Sequence, residues 1–179
     1  MKNLNKESNG CKSPLSIGSL VVLLFVAGFS TACSDPREPF ASHVTQYLER
    51  PQNPLNVRKD VPGDQVVIKG KLIPVDRTTK SISSLYGDLP DNLRPITPDE
   101  VGTIMWVNCS GRLDGEYSDG SSARSNECDL TFIDAASKQF LWMDTVITPP
   151  PAKKPAGEYS EAPDPTADIL KYLAAVPRR

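Results

Sequence analysis

Two short β-rich runs, each with a cysteine at one end, constrain the fold of this chain more than any other feature. The first is residues 103–109 (TIMWVNC), and the second is residues 128–134 (CDLTFID). If Cys109 lies opposite Cys128 in an antiparallel pair, one register aligns the rest of both runs. That register gives two further apolar pairs: Val107 with Leu130, and Met105 with Phe132. The sequence therefore predicts two neighbouring antiparallel strands.

A third strand is predicted to follow through a tight turn. Residues 140–147 (FLWMDTVI) are rich in β-forming residues, and the polar segment 134–139 precedes them. Pairing Asp134 with Gln139 keeps the same face of the sheet apolar, because it gives two further apolar pairs: Phe132 with Leu141, and Leu130 with Met143. The reverse face then carries five large apolar side chains: Ile104, Trp106, Ile133, Phe140 and Trp142.

Two amphipathic helices are available to cover this reverse face, since soluble monomers rarely leave so large an apolar patch open. One is predicted within residues 40–50, with an apolar stripe at helical spacing: Phe40, Val44, Tyr47 and Leu48. The other starts with Asp164 as cap and Pro165 in the first turn, and its apolar side carries Ile169, Leu170, Leu173 and Val176. We expect the helices to cover the two tryptophans. The alternative is an open binding face of three aromatic residues: Trp106, Trp142 and Phe140.

The rest of the chain predicts one more strand and no long helix. Residues 65–75 alternate between two faces, and Pro74 ends this strand or places it at a sheet edge. Residues 76–100 are rich in turn-forming residues and predict an irregular crossing loop. We therefore expect an α+β fold: a small antiparallel β-sheet, a meander of three to five strands, with a short N-terminal and a C-terminal helix.

The first 35 residues have the pattern of an export signal. Three lysines precede an apolar run at residues 20–29, which is too short to cross a bilayer, and small residues lead from that run into Cys33. The segment resembles the lipobox signal peptides of bacterial lipoproteins: Thr31, Ala32 and Cys33 match, whereas Ser30 stands where an aliphatic residue is usual.

The resemblance implies cleavage before Cys33, lipidation of Cys33 and, with Ser34 next, sorting to the periplasmic side of the outer membrane. An uncleaved signal anchor in the inner membrane is the alternative. The mature domain itself resembles only small uncharacterised exported proteins of bacteria, and that resemblance implies no function.

Five segments follow from this interpretation: a signal peptide at 1–32, a lipidated Pro-rich tether with a short helix at 33–63, a β-rich domain at 64–147, a Pro-rich loop at 148–163, and a C-terminal helix packing on the domain at 164–176. Removal of the signal leaves 17 basic and 21 acidic residues, because the signal carries three of the 20 basic and one of the 22 acidic residues. A chain with this mixed, slightly acidic balance is not expected to bind nucleic acid.

The resemblance also implies a role for each of the four cysteines. Cys11 leaves with the signal and Cys33 carries the lipid, so Cys109 and Cys128 remain as a pair in an oxidising compartment, where we expect them to form a disulfide. A metal site built from these two cysteines and His43 would lack a fourth ligand. The acidic loop 114–120 lacks the alternating ligand pattern of a calcium loop and is predicted to be a hairpin tip. We expect no metal and no cofactor.

No catalytic motif is present in the sequence, and we expect no enzyme. The function predicted is that of a membrane-anchored periplasmic lipoprotein, a non-catalytic interaction module with a protein partner in the cell envelope. One alternative is a binding protein for a small ligand, with the tryptophan face as its site. The other is a hydrolase, because the predicted register sets Asp129 opposite Asp144, a carboxylate pair of the kind used in acid–base catalysis.

Overall fold

A five-stranded sheet flanked by short helices makes up the parts of the chain that the computed structural model describes, which are residues 35–51, 67–151 and 162–178. The helices are α1 (Glu38–Ala41), α2 (Val44–Tyr47) and α3 (Thr166–Ala175). The strands are β1 (Lys71–Asp76), β2 (Ser81–Ile82), β3 (Val101–Glu116), β4 (Ser122–Asp134) and β5 (Phe140–Thr148). Two 3₁₀ segments, Ser84–Asp88 and Pro98–Glu100, lie between β2 and β3.

Five strands with short N-terminal helices and a C-terminal helix agree in part with the predicted α+β fold, but the sheet is mixed and is not the antiparallel meander that the sequence predicted. Its strand order is β2-β1-β3-β4-β5, and β1 runs parallel to β3 while every other pair is antiparallel. The reason lies in residues 77–100, which form β2 and then cross back to the end of the sheet where β1 began. A chain that returns to the same end enters the sheet parallel to the earlier strand. That crossing segment contains no long helix among its residues, as predicted.

Pro74 neither ends β1 nor places it at a sheet edge, since it lies inside a strand that β2 and β3 flank; its carbonyl accepts the N–H of Ser83 at 3.0 Å. The predicted strand at 65–75 begins later than expected. Of its first residues, 65 and 66 lie outside the described residues, and Ile68 makes only an isolated bridge to Arg178 beyond α3.

The register predicted for β3 and β4 is confirmed. Cys109 lies opposite Cys128, and the two apolar pairs derived from that assumption are both present: Val107 with Leu130, and Met105 with Phe132. The hairpin tip predicted within residues 114–120 is also found, as the turn that joins β3 to β4.

The register predicted for β4 and β5 is wrong by one residue over most of its length. Phe132 lies opposite Trp142 instead of Leu141, and the shift starts at an irregularity between Phe132 and Ile133. Ile133 still pairs with Phe140, so Leu141 is the extra residue of a β-bulge. Since neighbouring residues of a strand face opposite sides, this bulge moves everything after Leu141 to the other face.

Both faces of the sheet are buried, each under its own helices. On the face here called the α3 face, the buried residues include Met105, Leu130, Phe132, Trp142, Ile169 and Leu173. On the other, here called the α1/α2 face, they include Phe40, Tyr47, Ile73, Ile104, Trp106 and Ile133. Two buried faces explain why β3 and β4 are apolar on both sides over part of their length.

The helices lie close to where the sequence predicted them. The single helix expected within residues 40–50 is two separate turns, α1 and α2, which place Phe40 and Tyr47 on the sheet. The C-terminal helix α3 matches the predicted segment to within two residues at either end. The N-cap of α3 is Pro165 and not Asp164 as predicted; Asp164 comes one residue earlier, and its carboxylate accepts the N–H of Thr166 at 2.9 Å.

Candidate functional site

The predicted tryptophan face does not exist as one surface. Trp106 lies on the α1/α2 face and Trp142 on the α3 face, because the bulge at Leu141 turns Trp142 over. Phe140 precedes the bulge and pairs with Ile133, so it stays on the side of Trp106. The expectation that the chain's own helices cover the tryptophans is met, but by a different helix on each face.

Trp106 is held by the N-terminal helices. Its indole N–H donates to the carbonyl oxygen of Tyr47 at 2.7 Å, and its ring is only 7% exposed. The Arg77 guanidinium lies 4.7 Å from the centre of the ring, at a distance where cation–π attraction contributes. The indole therefore joins the segment after the predicted lipidation site to the centre of the sheet.

Trp142 is held by α3. Its ring stacks on Phe132, and its indole N–H donates to the hydroxyl of Tyr172 at 3.2 Å. Burial raises the pKa of Tyr172 to about 12, and the nearby carboxylate of Asp144 adds to the rise. The sequence analysis missed Tyr172, although its position three residues after Ile169 places it beside the apolar stripe of this helix.

The two carboxylates of the hydrolase alternative do not face each other. Asp129 lies opposite Thr145, whose hydroxyl donates to it at 2.8 Å, whereas Asp144 lies opposite Leu130. Asp129 and Asp144 therefore point to opposite faces of the sheet, and the predicted acid–base pair is not formed.

Asp134 is the strongly perturbed carboxylate of the described residues. Burial works to raise its pKa, but hydrogen bonds from the Lys69 ammonium and from Ser137 outweigh it and lower the pKa to about 2. The Lys69 Nζ lies 2.6 Å from Asp134 Oδ2, and the other oxygen accepts the N–H groups of Ala136 and Ser137. This carboxylate shapes the turn between β4 and β5, so its perturbation is structural.

The predicted disulfide is present between Cys109 and Cys128, whose Cα atoms lie 4.0 Å apart across β3 and β4. It marks the place where the sheet narrows, because β1 ends at Asp76, opposite Val107. The predicted lipidation site, Cys33, lies outside the described residues.

Beyond the disulfide, β3 and β4 continue as a two-stranded extension, here called the hairpin arm (residues 110–125). Among the described strands, neither β1 nor β5 reaches it, since β5 ends at Thr148, opposite Asn126. Its β3 side is exposed throughout, and Leu113 is 60% exposed. Arg112 pairs with Asp114 at 2.8 Å and with Glu127 at 3.2 Å. The arm therefore offers a preformed polar surface with one exposed apolar side chain.

A cavity of about 320 Å³ lies between the turn after β1, the start of the Ser84–Asp88 segment and the start of α3. Hydroxyl groups dominate its polar lining: Thr78, Thr79, Ser83, Ser84 and Thr166. Its two carboxylates also organise the chain, since Asp76 accepts the N–H groups of Thr78 and Thr79, and Asp164 accepts that of Thr166. The volume is at the lower end of the range found for small-ligand sites.

Within the ranges that the structure describes, no group of three or more His, Cys, Asp or Glu side chains is placed to hold a metal ion. None of the helices in those ranges is long and apolar enough to span a membrane.

No family model matches the chain, and searches of curated proteins and of solved structures find no match.

Proposed function

We propose that this chain is a lipid-tethered, non-catalytic interaction module on the periplasmic side of the outer membrane, which presents its hairpin arm to an envelope protein. The tether is inferred from the sequence, where Thr31 and Ala32 lead into Cys33. Only six residues separate Cys33 from Phe40, which is fully buried under the sheet. The linker between the lipid anchor and the folded domain would therefore be short.

The arm is the observation that carries this proposal. Elsewhere in the described residues, most large apolar side chains of the sheet are buried under α1, α2 and α3, whereas Ile147 of β5 is 48% exposed. The β3 side of the arm in contrast is exposed, and the arm extends past the neighbouring strands and is locked at its base by the Cys109–Cys128 disulfide. A binding segment that is already ordered loses little conformational entropy when a partner binds.

The nature of the arm surface favours a protein partner. Arg112 is neutralised by Asp114 and Glu127, so the surface has no strong charge of either sign with which to attract a polyanion. Leu113 supplies an exposed apolar side chain whose burial against a partner would be favourable.

Photocrosslinking in intact membranes tests this proposal. A photoreactive residue at Leu113 is expected to give an adduct with another protein, whereas the same residue at Ala174, on the exposed side of α3, is expected to give none. Intact mass spectrometry of the mature chain is expected to show cleavage before Cys33 and acyl mass on it. A chain that begins at Met1 without acyl mass, or equal adducts from both positions, would contradict the proposal.

The cavity supports a second candidate function, the binding of a small polar ligand. This differs from the ligand site expected at the tryptophans, because the cavity is lined by hydroxyl groups near the start of α3. Native mass spectrometry of protein purified from membranes would reveal a retained ligand. The substitution Ser84→Trp, at an exposed lining residue, should remove that mass without unfolding the domain.

A further inference from the structure

Besides the four residues 122–125 of β4, three strand edges are open in the part of the chain that the structure describes: the outer edge of β2, the edge of β3 beyond Val107, and the outer edge of β5. An open edge presents unpaired backbone N–H and C=O groups that can pair with another strand. Natural proteins protect such edges with short strands, charged side chains, prolines and bulges.

Two of the three edges carry these protections. The strand β2 is only two residues long. The open edge of β3 carries three charged residues, Arg112, Asp114 and Glu116, and a register shift between Leu113 and Gly115 interrupts its regular backbone. Neither edge is suited to a long, regular pairing with another strand.

The outer edge of β5 is the least protected of the three. It is nine residues long, and Asp144 is its single charged residue. Its bulge lies at Leu141, near the start, so the residues that follow form a regular edge up to Pro149. Asp144, Thr145 and Ile147 are exposed, the last at 48%. A long, regular and largely apolar edge is the kind that recruits another strand.

We propose that β5 pairs with β5 of a second copy of this chain, antiparallel, about a twofold axis at Thr145. Thr145 then lies opposite Thr145 of the second copy. Met143 lies opposite Ile147, and Asp144 opposite Val146, each twice because the axis exchanges the two copies. The two five-stranded sheets join into one of ten strands.

The choice of a second copy rests on the self-complementarity of this edge. In the register centred on Thr145, the exposed apolar Ile147 meets Met143, two threonines meet, and no like charges face each other. Centring the pair on Asp144 would oppose two carboxylates, and centring it on Met143 would leave Ile147 unpaired. An unrelated strand has no reason to reproduce this match.

The proposed pairing requires one existing hydrogen bond to be replaced, and it buries a modest interface area. The Thr145 N–H donates to the Asp144 carboxylate at 2.8 Å, and an incoming strand must replace this bond if it uses that donor. A single strand on a single strand lies at the small end of specific interfaces. The dimer is therefore expected to be weak in dilute solution and stronger where two copies share one membrane, a condition that rests on the proposed lipid tether.

Cysteine crosslinking of the full chain, in intact membranes, tests both the pairing and its register. Thr145→Cys should give an oxidant-dependent dimer of twice the chain mass. Asp144→Cys should give none above the unsubstituted chain, because the two Asp144 Cα atoms would lie about 8 Å apart, beyond disulfide reach. A mixture of Met143→Cys and Ile147→Cys chains should crosslink, and neither variant alone should.

Two lysine substitutions supply the matched control. In the Thr145→Cys background, Ile147→Lys should lower the dimer yield at least fivefold, whereas Leu113→Lys, on the edge of the hairpin arm, should leave it unchanged. Equal yields from both variants, or a Thr145→Cys yield no greater than that of the unsubstituted chain, would overturn the proposal. So would an adduct of a mass other than twice that of the chain. If the chain is found without lipid but still crosslinks at Thr145, the proposed lipid tether is refuted and the proposed pairing of β5 stands.

Discussion

The ring of Trp142 lies parallel to that of Phe132, with 4.0 Å between the ring centroids and 7° between the planes. The two residues are directly opposite in β5 and β4. This stack exists because Leu141 bulges out of the strand, and it brings Trp142 under α3, where Tyr172 reaches its indole N–H. The C-terminal helix is thus fixed to the sheet by an aromatic cluster and a hydrogen bond.

Tyr172→Phe tests this attachment. The variant loses the hydroxyl that accepts from Trp142, and we expect the free energy of unfolding to fall by about 1 kcal/mol in denaturant titrations at pH 7. Tyr117→Phe is the matched control, since its hydroxyl donates to the Pro151 carbonyl at an exposed position. A loss as large in the control as in Tyr172→Phe would contradict the role assigned to Tyr172.

The same hydroxyl predicts how stability changes at high pH. The pKa of Tyr172 is raised from 10.0 to about 12 in the folded protein, so the unfolded chain loses this proton first. The stabilising contribution is complete below pH 10 and is lost as the pH rises through 12. The gap between the unfolding free energies of the parent chain and Tyr172→Phe should therefore narrow from pH 10 upwards. A gap that widens over this range would show that the tyrosinate is tolerated in the fold.

Asp134→Asn should weaken the turn between β4 and β5. The variant loses the charge that pairs with Lys69, and we expect a loss of about 1–3 kcal/mol at pH 7. Because the folded pKa of Asp134 is lowered from 3.8 to about 2, its contribution is present above pH 4 and disappears as the pH falls through 2.

Thermal unfolding between pH 2 and pH 7 measures the difference in stability between the parent chain and Asp134→Asn. Asp91→Asn is the control, since Asp91 pairs with Arg94 but its side chain is 91% exposed, and exposed pairs contribute little. A difference between the parent chain and Asp134→Asn that does not change with pH would show that the charge of Asp134 is not what stabilises the turn.

The disulfide gives a further prediction. Titration of the denatured, unreduced chain should find no reactive thiol at Cys109 or Cys128. Their replacement by two alanines should destabilise the domain by about 3 kcal/mol, the loop-entropy value for a bridge spanning 19 residues of sequence. Since the bridge locks the base of the hairpin arm, the amide hydrogens of the arm should also exchange faster in the variant, by a larger factor than those of β1, which follow only the global loss of stability. Equal protection of the arm's amide hydrogens in both proteins would contradict the proposed role of the disulfide in locking the arm.

The sequence predicted β3 and β4 well because several side chains depend on one register there. The cysteine pair and two apolar pairs agree only when Cys109 lies opposite Cys128. For β5 no such agreement existed, because the strand is apolar on both sides of Leu141, so a register shifted by one residue kept an apolar face in either case. A bulge in such a strand leaves no mark in the hydrophobic pattern.

For a similar reason, the sequence could not predict the parallel pairing of β1 and β3 or the candidate sites. The segment between these strands has no periodic pattern that shows on which side of the sheet it returns. The site predicted at Trp106 and Trp142 depended on the register of β5 and failed with it. The cavity could not be predicted either, because its walls come from segments almost ninety residues apart, at Asp76 and Asp164.

Gly102→Ala should be among the most damaging single substitutions. A Cβ atom there would lie 2.2 Å from the carbonyl oxygen of Lys69, and backbone cannot move aside as a side chain can. The ladder between β1 and β3 skips this residue, so relief of the clash would disturb the parallel pair. We expect a loss of about 3 kcal/mol or more. Gly87→Ala, where a Cβ would meet nothing within 4 Å, should stay within about 1 kcal/mol of the parent chain, and similar losses at both positions would contradict the argument.

Removal of α3 should expose one tryptophan and not the other. The helix covers Trp142 with Ile169 and Leu173, whereas Trp106 lies under α1 and α2 on the opposite face. A chain that ends after Pro163 should therefore show increased acrylamide quenching of Trp142, measured in a Trp106→Phe background. Quenching of Trp106, measured in a Trp142→Phe background, should stay as low as in the full chain.

If the truncated chain unfolds, Leu173→Ala can be used instead to test whether α3 covers Trp142. This fully buried side chain can be removed within an intact helix. That variant should lose about 2–5 kcal/mol of stability and loosen the cover of Trp142 first. Equal exposure of the two indoles in the folded Leu173→Ala protein would mean that the two faces are not independently covered. The assignment of one tryptophan to each helix layer would then be wrong.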